Sequence, residues 1–207
     1  MDYVQSGGGK PIAMEQLNAD FLNDEEMILL GINNGTARNI KIHKTAVIVW
    51  PQGLVLIDNI RIDPYVVISV PGLRLGRHVH ISTASTLIGR SSIEMGNFST
   101  LSVGCRIFSS NDDYSGAKMT NPTVPAGLTD VTHAPVALGD HTIVGANTVI
   151  LPGTELAEGS AVGALSLVEG QLNPWTIYGG VPARPLKPRR KEAKELGMRF
   201  LHDQFKG

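Results

Sequence analysis

The sequence predicts an all-β fold, a parallel β-helix of stacked coils, from a six-residue period and from the composition. Large apolar residues at Leu138, Val144, Ile150, Leu156 and Val162 fall six residues apart, and a Thr or Ser follows four residues after each. Six residues turn an α-helix by roughly 240°, so on a helix these positions would point in different directions. In an extended chain they return to one face. Hexapeptide repeats are typical of β-helices.

The composition agrees with narrow coils joined by frequent turns. The chain of 207 residues contains 23 Gly and 12 Pro, and only 5% of it is aromatic. This length suffices for one well-buried core. The net charge of −1 gives no basic field that would attract nucleic acid. Because the sequence shows neither an apolar signal core nor a bilayer-length apolar run, we expect a cytoplasmic protein without membrane insertion.

The repeat extends backwards through the chain, with short slips, to Ile42. We predict a β-helix domain over 36–186. The period is lost between Phe108 and Pro135, which predicts one long loop over 108–137. A loop of this length inside a regular array is more often functional than a simple connection.

Both ends of the chain depart from the repeat. Asn23, followed by three acidic residues and then Gly31, predicts a short capped helix within an N-terminal segment, 1–35, that also contains a tail. The segment 187–207 predicts a C-terminal amphipathic helix, with apolar residues at Ala193, Leu196, Phe200 and Phe205. We expect the two helices to cap the open ends of the stack.

Three motifs identify a family resemblance. Gly-Asp-His-Thr-Ile-Val-Gly-Ala-Asn at 139–147, Ile-Leu-Pro-Gly at 150–153 and Gly-Gly-Val-Pro-Ala-Arg at 179–184 resemble the hexapeptide-repeat acyltransferases. The resemblance implies a left-handed parallel β-helix, a homotrimer, and acyl-CoA bound in the groove between neighbouring subunits. The segment Phe-Ser-Ser-Asn-Asp-Asp-Tyr-Ser-Gly at 108–116 resembles a subgroup that acylates sugars for surface glycans, including nucleotide-linked 4-amino-sugar N-acyltransferases.

The resemblance also implies a set of residues that bind CoA. Small residues at adjacent coils would let a pantetheine arm approach the backbone, although they could equally serve backbone geometry alone. Basic residues after the last coil would contact the phosphates of the cofactor, or they could simply be solvated. The predicted cofactor-binding residues are Gly145, Ala146, Gly163, Ala164, Pro182, Ala183, Arg184, Lys187, Arg189 and Arg190.

The residues at the start of the long loop indicate which chemical group receives the acyl group from acyl-CoA. Many O-acetyltransferases of this superfamily carry an Asn-His pair there, whereas this chain has Asn111, Asp112 and Asp113. A hydroxyl needs a base to attack a thioester, but a neutral amine does not. A carboxylate can hold an amine that arrives as ammonium. The loop therefore favours an amine acceptor with Asp112 or Asp113 as its anchor, and the alternative is an Asx-turn.

Other side chains are candidates for the remaining roles. His78 and His80 flank an inward valine, so we expect both to face outward on one strand. His80 is the preferred histidine for a catalytic base, and backbone N–H groups are expected to hold the oxyanion. The predicted substrate-binding residues are Asn111, Tyr114, Ser102, Glu94 and His133.

The sequence thus predicts an acyl-CoA-dependent acyltransferase that moves an acetyl or small acyl group to the amino group of a nucleotide-linked deoxyamino sugar. The first alternative is a sugar O-acetyltransferase acting on a hydroxyl. A zinc-dependent, carbonic-anhydrase-like β-helix and a non-catalytic scaffold are further alternatives. The histidine spacing of such zinc enzymes is not evident here, so no metal is expected.

Overall fold

The computed structural model describes residues 20–32 and 37–204. Most of the predicted N-terminal tail, residues 1–19, and Phe205 of the C-terminal apolar set lie outside these described residues.

The described chain winds through six coils of three short strands. The first half contains β1 (Ile40–Ile42), β2 (Val47–Ile48), β3 (Leu54–Leu56), β4 (Ile60–Ile62), β5 (Val67–Ser69), β6 (Leu73–Leu75), β7 (His80–Ile81), β8 (Thr86–Ile88), β9 (Ile93–Met95), β10 (Thr100–Leu101) and β11 (Arg106–Phe108). The second half contains β12 (Ser110–Asp112), β13 (Val131–His133), β14 (Val136–Leu138), β15 (Ile143–Val144), β16 (Val149–Ile150), β17 (Glu155–Leu156), β18 (Ala161–Val162), β19 (Leu167–Val168), β20 (Gln171–Leu172), β21 (Thr176–Gly179) and β22 (Arg184–Pro188).

Each strand pairs in parallel with the corresponding strand of the next coil, which makes three sheets. Sheet 1 has the order β1-β4-β7-β10-β15-β18-β21-β22, and its last pair is antiparallel. Sheet 2 has the order β2-β5-β8-β11-β16-β19, and sheet 3 the order β3-β6-β9-β14-β17-β20. The antiparallel hairpin β12–β13 interrupts the fourth coil between sheets 2 and 3, at the place of the predicted loop.

The predicted period describes the core correctly. Val144, Ile150 and Leu156 are fully buried, and Leu138 and Val162 nearly so. The small polar residues at the bends are buried as well, and several close their turn with a hydroxyl bond. The Ser160 hydroxyl donates to the Ala157 carbonyl at 2.8 Å, and the Ser166 hydroxyl to the Gly163 carbonyl at 2.7 Å. These bonds satisfy polar groups that would otherwise be costly to bury.

The N-terminal helix caps the stack as predicted. Helix α1 (Asp24–Leu29) begins with a capping box, because the Asn23 side chain accepts from the Glu26 N–H while the Glu26 carboxylate accepts from the Asn23 N–H. Met27 on this helix is 3% exposed and belongs to the core. The helix therefore covers the apolar interior at the first coil.

The C-terminal helix does not cap the other end, so this part of the prediction is wrong. Helix α2 (Glu192–Gln204) runs along the corner between sheets 3 and 1. Lys194 pairs with Glu158 at 3.0 Å, and the Phe200 ring lies 5.0 Å from His78, several coils away. The β21–β22 hairpin covers the last coil instead, where Tyr178 is buried. The predicted boundary between the β-helix domain and the C-terminal segment, at residue 187, stays a prediction. Strand β22 continues past this residue to Pro188.

One corner stack corrects the expectation for His78. This residue has φ of 57° and sits in the bend before β7, so its ring does not share the outer face of the strand with His80. It stacks on Phe98 with ring centroids 5.0 Å apart, and Phe98 stacks on His141 at 4.9 Å. His78 is therefore part of the packing surface for α2, whereas His80 is the outward histidine of β7.

Candidate active site

A ladder of equivalent positions follows sheet 1 at its corner with sheet 2. The N–H of Ser82 donates to the Leu101 carbonyl, that of Ser102 to Val144, that of Gly145 to Val162 and that of Gly163 to Tyr178. His43 begins the series, because its N–H donates to the Ile62 carbonyl, and Asp63 follows with an N–H that donates to the Ile81 carbonyl. We call this edge of the molecule the sheet 1–2 corner. It aligns the predicted residues Ser102, Gly145 and Gly163 on successive coils.

The structure requires glycine at one of the two glycine positions of this corner but not at the other. A Cβ atom on Gly145 would overlap the backbone of Ala164 on the next coil, so stacking itself requires glycine there. A Cβ atom on Gly163 would lie 3.5 Å from the Tyr178 carbonyl oxygen, which is ordinary contact. Ala146 is half-buried beside Gly145, and Ala164 is exposed beside Gly163. The close stacking of the coils thus explains the glycine at position 145. It does not explain the glycine at position 163.

The predicted basic cluster divides into two residues that are held by other parts of the chain and two that are exposed, of which Arg184 donates only to the adjacent Ala183 carbonyl, at 3.2 Å, among the described residues. Arg189 is half-buried and donates to the carbonyls of His141 at 2.7 Å and Gly159 at 3.0 Å. Arg190 forms an ion pair with Glu192. Arg184 and Lys187 are exposed on β22, which pairs with β21 at the end of sheet 1.

The turn between β21 and β22 carries the other two predicted cofactor-binding residues of this region. Pro182 is exposed there, and Ala183 packs against the apolar core. The hairpin therefore leaves Pro182, Arg184 and Lys187 exposed, while Ala183 holds the turn against the last coil.

The hairpin β12–β13 fixes the base of the long loop. Ser110 lies opposite His133, and the Ser110 hydroxyl is 2.7 Å from the His133 Nδ1. The Ser110 oxygen also accepts from the Arg90 N–H at 2.8 Å, which leaves its hydrogen for the histidine. Asn111 is half-buried on the same strand.

The structure distinguishes the two aspartates of the loop. The Asp113 carboxylate accepts from the Ser115 N–H at 2.8 Å and the Lys118 N–H at 2.9 Å. These bonds, chiefly those from Ser115, lower the pKa of the Asp113 carboxyl, so the Asx-turn alternative applies to it. Asp112 is exposed at the end of β12, and nothing in the described part of the chain bonds to its carboxylate. The neighbouring Tyr114 is also exposed.

His80 belongs to an ionic cluster that the sequence reasoning did not find. Its Nε2 lies 2.8 Å from the Asp63 Oδ2, and the Arg61 Nε lies 2.6 Å from the other carboxylate oxygen. Burial alone would raise the pKa of Asp63, but the bonds from Arg61 and His80 outweigh it and lower the pKa. The sequence contains one indication of this cluster: Asp63 is a charged residue at a corner position that later coils fill with Ser or Gly.

Glu94 lies apart from the other candidates. It is on β9, on the outer face of sheet 3, and lines a groove of about 660 Å³ together with Arg74 and Glu155. The sheet 1–2 corner is on a different edge of the molecule, so Glu94 and Ser102 do not meet within one chain.

The loop and the sheet 1–2 corner are likewise separated within one chain. Ser102 precedes β11, and the hairpin with Asp112 follows it. A strand of three residues spans roughly 10 Å, so β11 and its two bends stand between the loop and the corner. One chain therefore brings His80, Ser102 and Gly145 to one edge, and Asn111, Asp112 and His133 to another.

Comparison with known proteins connects this architecture to enzymes. The sequence matches no model of a known protein family. It is 32% identical to a dTDP-4-amino-4,6-dideoxy-D-glucose acyltransferase of Escherichia coli, over 85% of this chain and 92% of that protein. It is 27% identical to WbbJ of Escherichia coli K12, a putative lipopolysaccharide biosynthesis O-acetyl transferase, over 66% of this chain and 69% of that protein.

Solved structures agree with the sequence matches. AntD, an N-acyltransferase from Bacillus cereus solved with dTDP and 3-hydroxybutyryl-CoA, has a TM-score of 0.86 and 34% identity, covering 90% of this chain and 98% of AntD. The hexapeptide-repeat acetyltransferase VCA0836 from Vibrio cholerae has a TM-score of 0.55 at 17% identity over 82% of this chain and 83% of that one, which supports the fold alone.

The coils, the interrupting loop and these matches define a hexapeptide-repeat acyltransferase with a left-handed parallel β-helix, as the sequence predicted. The chain belongs to the family of acyl-CoA-dependent acyltransferases of nucleotide-linked amino sugars, and the predicted enzyme class is confirmed.

The described residues form neither a membrane-spanning helix nor a cluster of metal ligands. None of the helices they form has the length and apolarity needed to cross a membrane. Within residues 20–32 and 37–204, no three His, Cys, Asp or Glu side chains are grouped as a metal site would require.

Proposed function

We propose that this enzyme transfers an acyl group from acyl-CoA to the amino group of a dTDP-linked 4-amino-4,6-dideoxy sugar. The observation that carries the proposal is the exposed Asp112 carboxylate, which has no partner in the described chain and stands at the start of the loop, where many O-acetylating relatives carry a histidine. The AntD enzyme has been solved with dTDP-4-amino-4,6-dideoxyglucose and CoA, which supports the same pair of ligands here.

A spacing in AntD supports roles for two residues. AntD has been solved as variants of one serine and one aspartate that lie ten positions apart. In this chain Ser102 and Asp112 have the same spacing, and the sequence has no other serine ten residues before an aspartate. We therefore assign Ser102 and Asp112 to the site.

The roles follow from the chemistry of acyl transfer. Asp112 holds the acceptor as ammonium, which releases one proton to the solvent before its neutral nitrogen attacks the thioester carbon. Backbone N–H groups are the expected donors to the oxyanion, but those of Ser102 and Gly145 already donate to the next coil and are not free for it. The Ser102 hydroxyl at the same corner takes this role. The new C–N bond replaces the C–S bond, and CoA leaves as the thiol.

The cofactor lies along the sheet 1–2 corner in this proposal. The small residues Gly163 and Ala164 leave room for the pantetheine arm, and Arg184 and Lys187 on β22 face the phosphates. Because acyl-CoA and nucleotide sugars are cytoplasmic metabolites, we place the reaction in the cytoplasm.

We further propose a homotrimer, because one chain does not unite the two halves of the site. A threefold ring of identical contacts would put the loop of each copy against the sheet 1–2 corner of the next copy. Sheet 2 offers an apolar outer face for this contact. Much of this face is aliphatic, with Thr86 and Arg106 in the middle of it; the aliphatic residues are Val47, Val49, Val67, Ile88, Val149 and Leu167.

O-acetylation of a sugar hydroxyl is the second candidate, because the Asp63–His80 pair offers a base and WbbJ is a relative. Purified protein should be mixed with acetyl-CoA and either dTDP-4-amino-4,6-dideoxyglucose or its 4-hydroxy counterpart, dTDP-6-deoxyglucose. We expect thiol release and a product heavier by one acetyl group with the amine only. Acetylation of the hydroxyl counterpart alone would reverse the two candidates, and reaction with neither would reject both for these sugars.

A further inference from the structure

Asp63 is a buried carboxylate at the edge of the proposed site. It is 7% exposed, and both of its oxygens are occupied, by Arg61 at 2.6 Å and by His80 at 2.8 Å. A charge of this kind is retained in a folded protein only when it is paired and hydrogen-bonded. The cluster therefore needs an explanation, either in the stacking of the coils or in the chemistry.

Stacking of the coils does not require the carboxylate. The ladder position that Asp63 occupies is filled by Ser82, Ser102, Gly145 and Gly163 on the following coils, and each of these makes the same backbone hydrogen bond to its neighbour. A neutral or absent side chain therefore suffices at this corner. Two side chains distinguish the coil of Asp63: Arg61 on its own strand and the histidine on the adjacent strand.

The pairing fixes how His80 is presented. In neutral imidazole one ring nitrogen carries hydrogen and the other a lone pair. With Nε2 facing the Asp63 carboxylate, the hydrogen belongs on Nε2 and the lone pair on Nδ1. The His80 side chain is 38% exposed, and in the described chain no group bonds to its Nδ1. His80 also lies opposite Thr100 in sheet 1, and Thr100 is two residues before Ser102 in the sequence.

We propose that Asp63 is a positioning residue that orients His80 to accept the proton of the acceptor amine; this rests on the proposed function. When the amine attacks the thioester carbon, a C–N bond forms and the nitrogen becomes positively charged. The His80 Nδ1 takes one proton from this nitrogen, and the Asp63 carboxylate stabilises the resulting imidazolium. As the C–S bond breaks, His80 returns the proton to the sulfur, so amide and free thiol are formed and His80 is neutral again.

A double-mutant cycle tests the proposal with dTDP-4-amino-4,6-dideoxyglucose and acetyl-CoA. We expect His80→Gln to lower kcat roughly 100-fold, a typical loss for a general base. We expect Asp63→Asn to lower kcat about 10-fold or more, as for removal of an orienting partner, with the KM of both substrates little changed. The double variant should be no slower than His80→Gln, because Asp63 acts only through His80. Glu195→Gln, which breaks an exposed ion pair with Arg199 on α2, away from this cluster, is the control and should retain wild-type kcat.

Three outcomes separate the explanations. If the effects of the two substitutions on kcat multiply in the double variant, Asp63 acts independently of His80 and the proposal fails. It fails also if His80→Gln acylates at the wild-type rate. An inactive wild type would instead reject the proposed function. If Asp63→Asn gives no folded protein by circular dichroism, Asp63→Glu replaces it, and we expect a partial loss of kcat that again disappears in the His80→Gln background.

Discussion

Ser102 and Asp112 lie at opposite ends of strand β11, the serine at the sheet 1–2 corner and the aspartate in the hairpin that leaves sheet 2. Their spacing of ten residues equals that of the serine and aspartate varied in AntD. A strand held between two others in a parallel sheet cannot bend its ends together. The two side chains therefore meet only if two copies of the chain contribute to one site.

Mixing two inactive variants tests this arrangement. Ser102→Ala and Asp112→Asn should each be nearly inactive alone. When the two are co-expressed, about one in four subunit contacts should join an intact Ser102 to an intact Asp112, if copies assemble at random around a threefold axis. The mixture should then recover roughly a quarter of the wild-type activity. Activity no higher than in the separate variants would show that each site lies within one chain, and sedimentation gives the oligomeric state.

The two loop aspartates should differ on substitution. Asp112→Asn removes a carboxylate without a partner in the described chain, so we expect an activity loss of about 100-fold with an unchanged melting temperature. Asp113→Asn weakens the turn held by the Ser115 and Lys118 N–H groups. We expect it to make the loop more susceptible to limited proteolysis while activity falls less. Full activity in Asp112→Asn would remove this carboxylate from the mechanism.

Substitution of the two glycines of the sheet 1–2 corner should affect different properties, stability for Gly145 and cofactor binding for Gly163. Gly145→Ala forces a Cβ atom against the backbone of Ala164, so it should lower the free energy of unfolding by about 1–3 kcal/mol. Gly163→Ala meets ordinary contact and should unfold like the wild type, but it should raise the KM for acetyl-CoA. Denaturant titration and steady-state kinetics measure the two effects. An unchanged KM in Gly163→Ala would mean that the pantetheine arm lies elsewhere.

The Asp63 cluster should make stability depend on pH in acid. The pKa of Asp63 is lower in the folded protein than in the unfolded chain, so the folded state is favoured while this group is ionised. This contribution is complete above about pH 4 and is lost as the pH falls through the folded pKa. Between pH 6 and pH 3 the urea midpoint of the wild type should therefore fall further than that of Asp63→Asn. Equal decreases would mean that the ion pairs do not form in solution.

Much of the fold could be predicted because a hexapeptide repeat is a local property. Each inward residue, such as Val144 or Ile150, is placed by the pleat of its own strand and is buried whatever its neighbours are. The loop could be found for the same reason, as the place where the period stops. The path of α2 could not be predicted, since an amphipathic pattern shows that a face is buried but not against what. The corner stack of His78, Phe98 and His141, which receives it, exists only after the coils have formed.

The sequence by itself determined the coil architecture, the enzyme family and a short set of polar candidates for the site. The tertiary structure decided which candidate side chains are already bonded to other groups of the chain. Contacts between coils join residues whose distance along the sequence changes with the length of each turn and loop. His80 and Asp63 are 17 residues apart, yet Asn97 and Asp140, in the same kind of contact, are 43 apart. No fixed spacing reveals such pairs. The stacking of the coils therefore supplied the Asp63–His80 pair and placed Ser102 and Asp112 on separate edges.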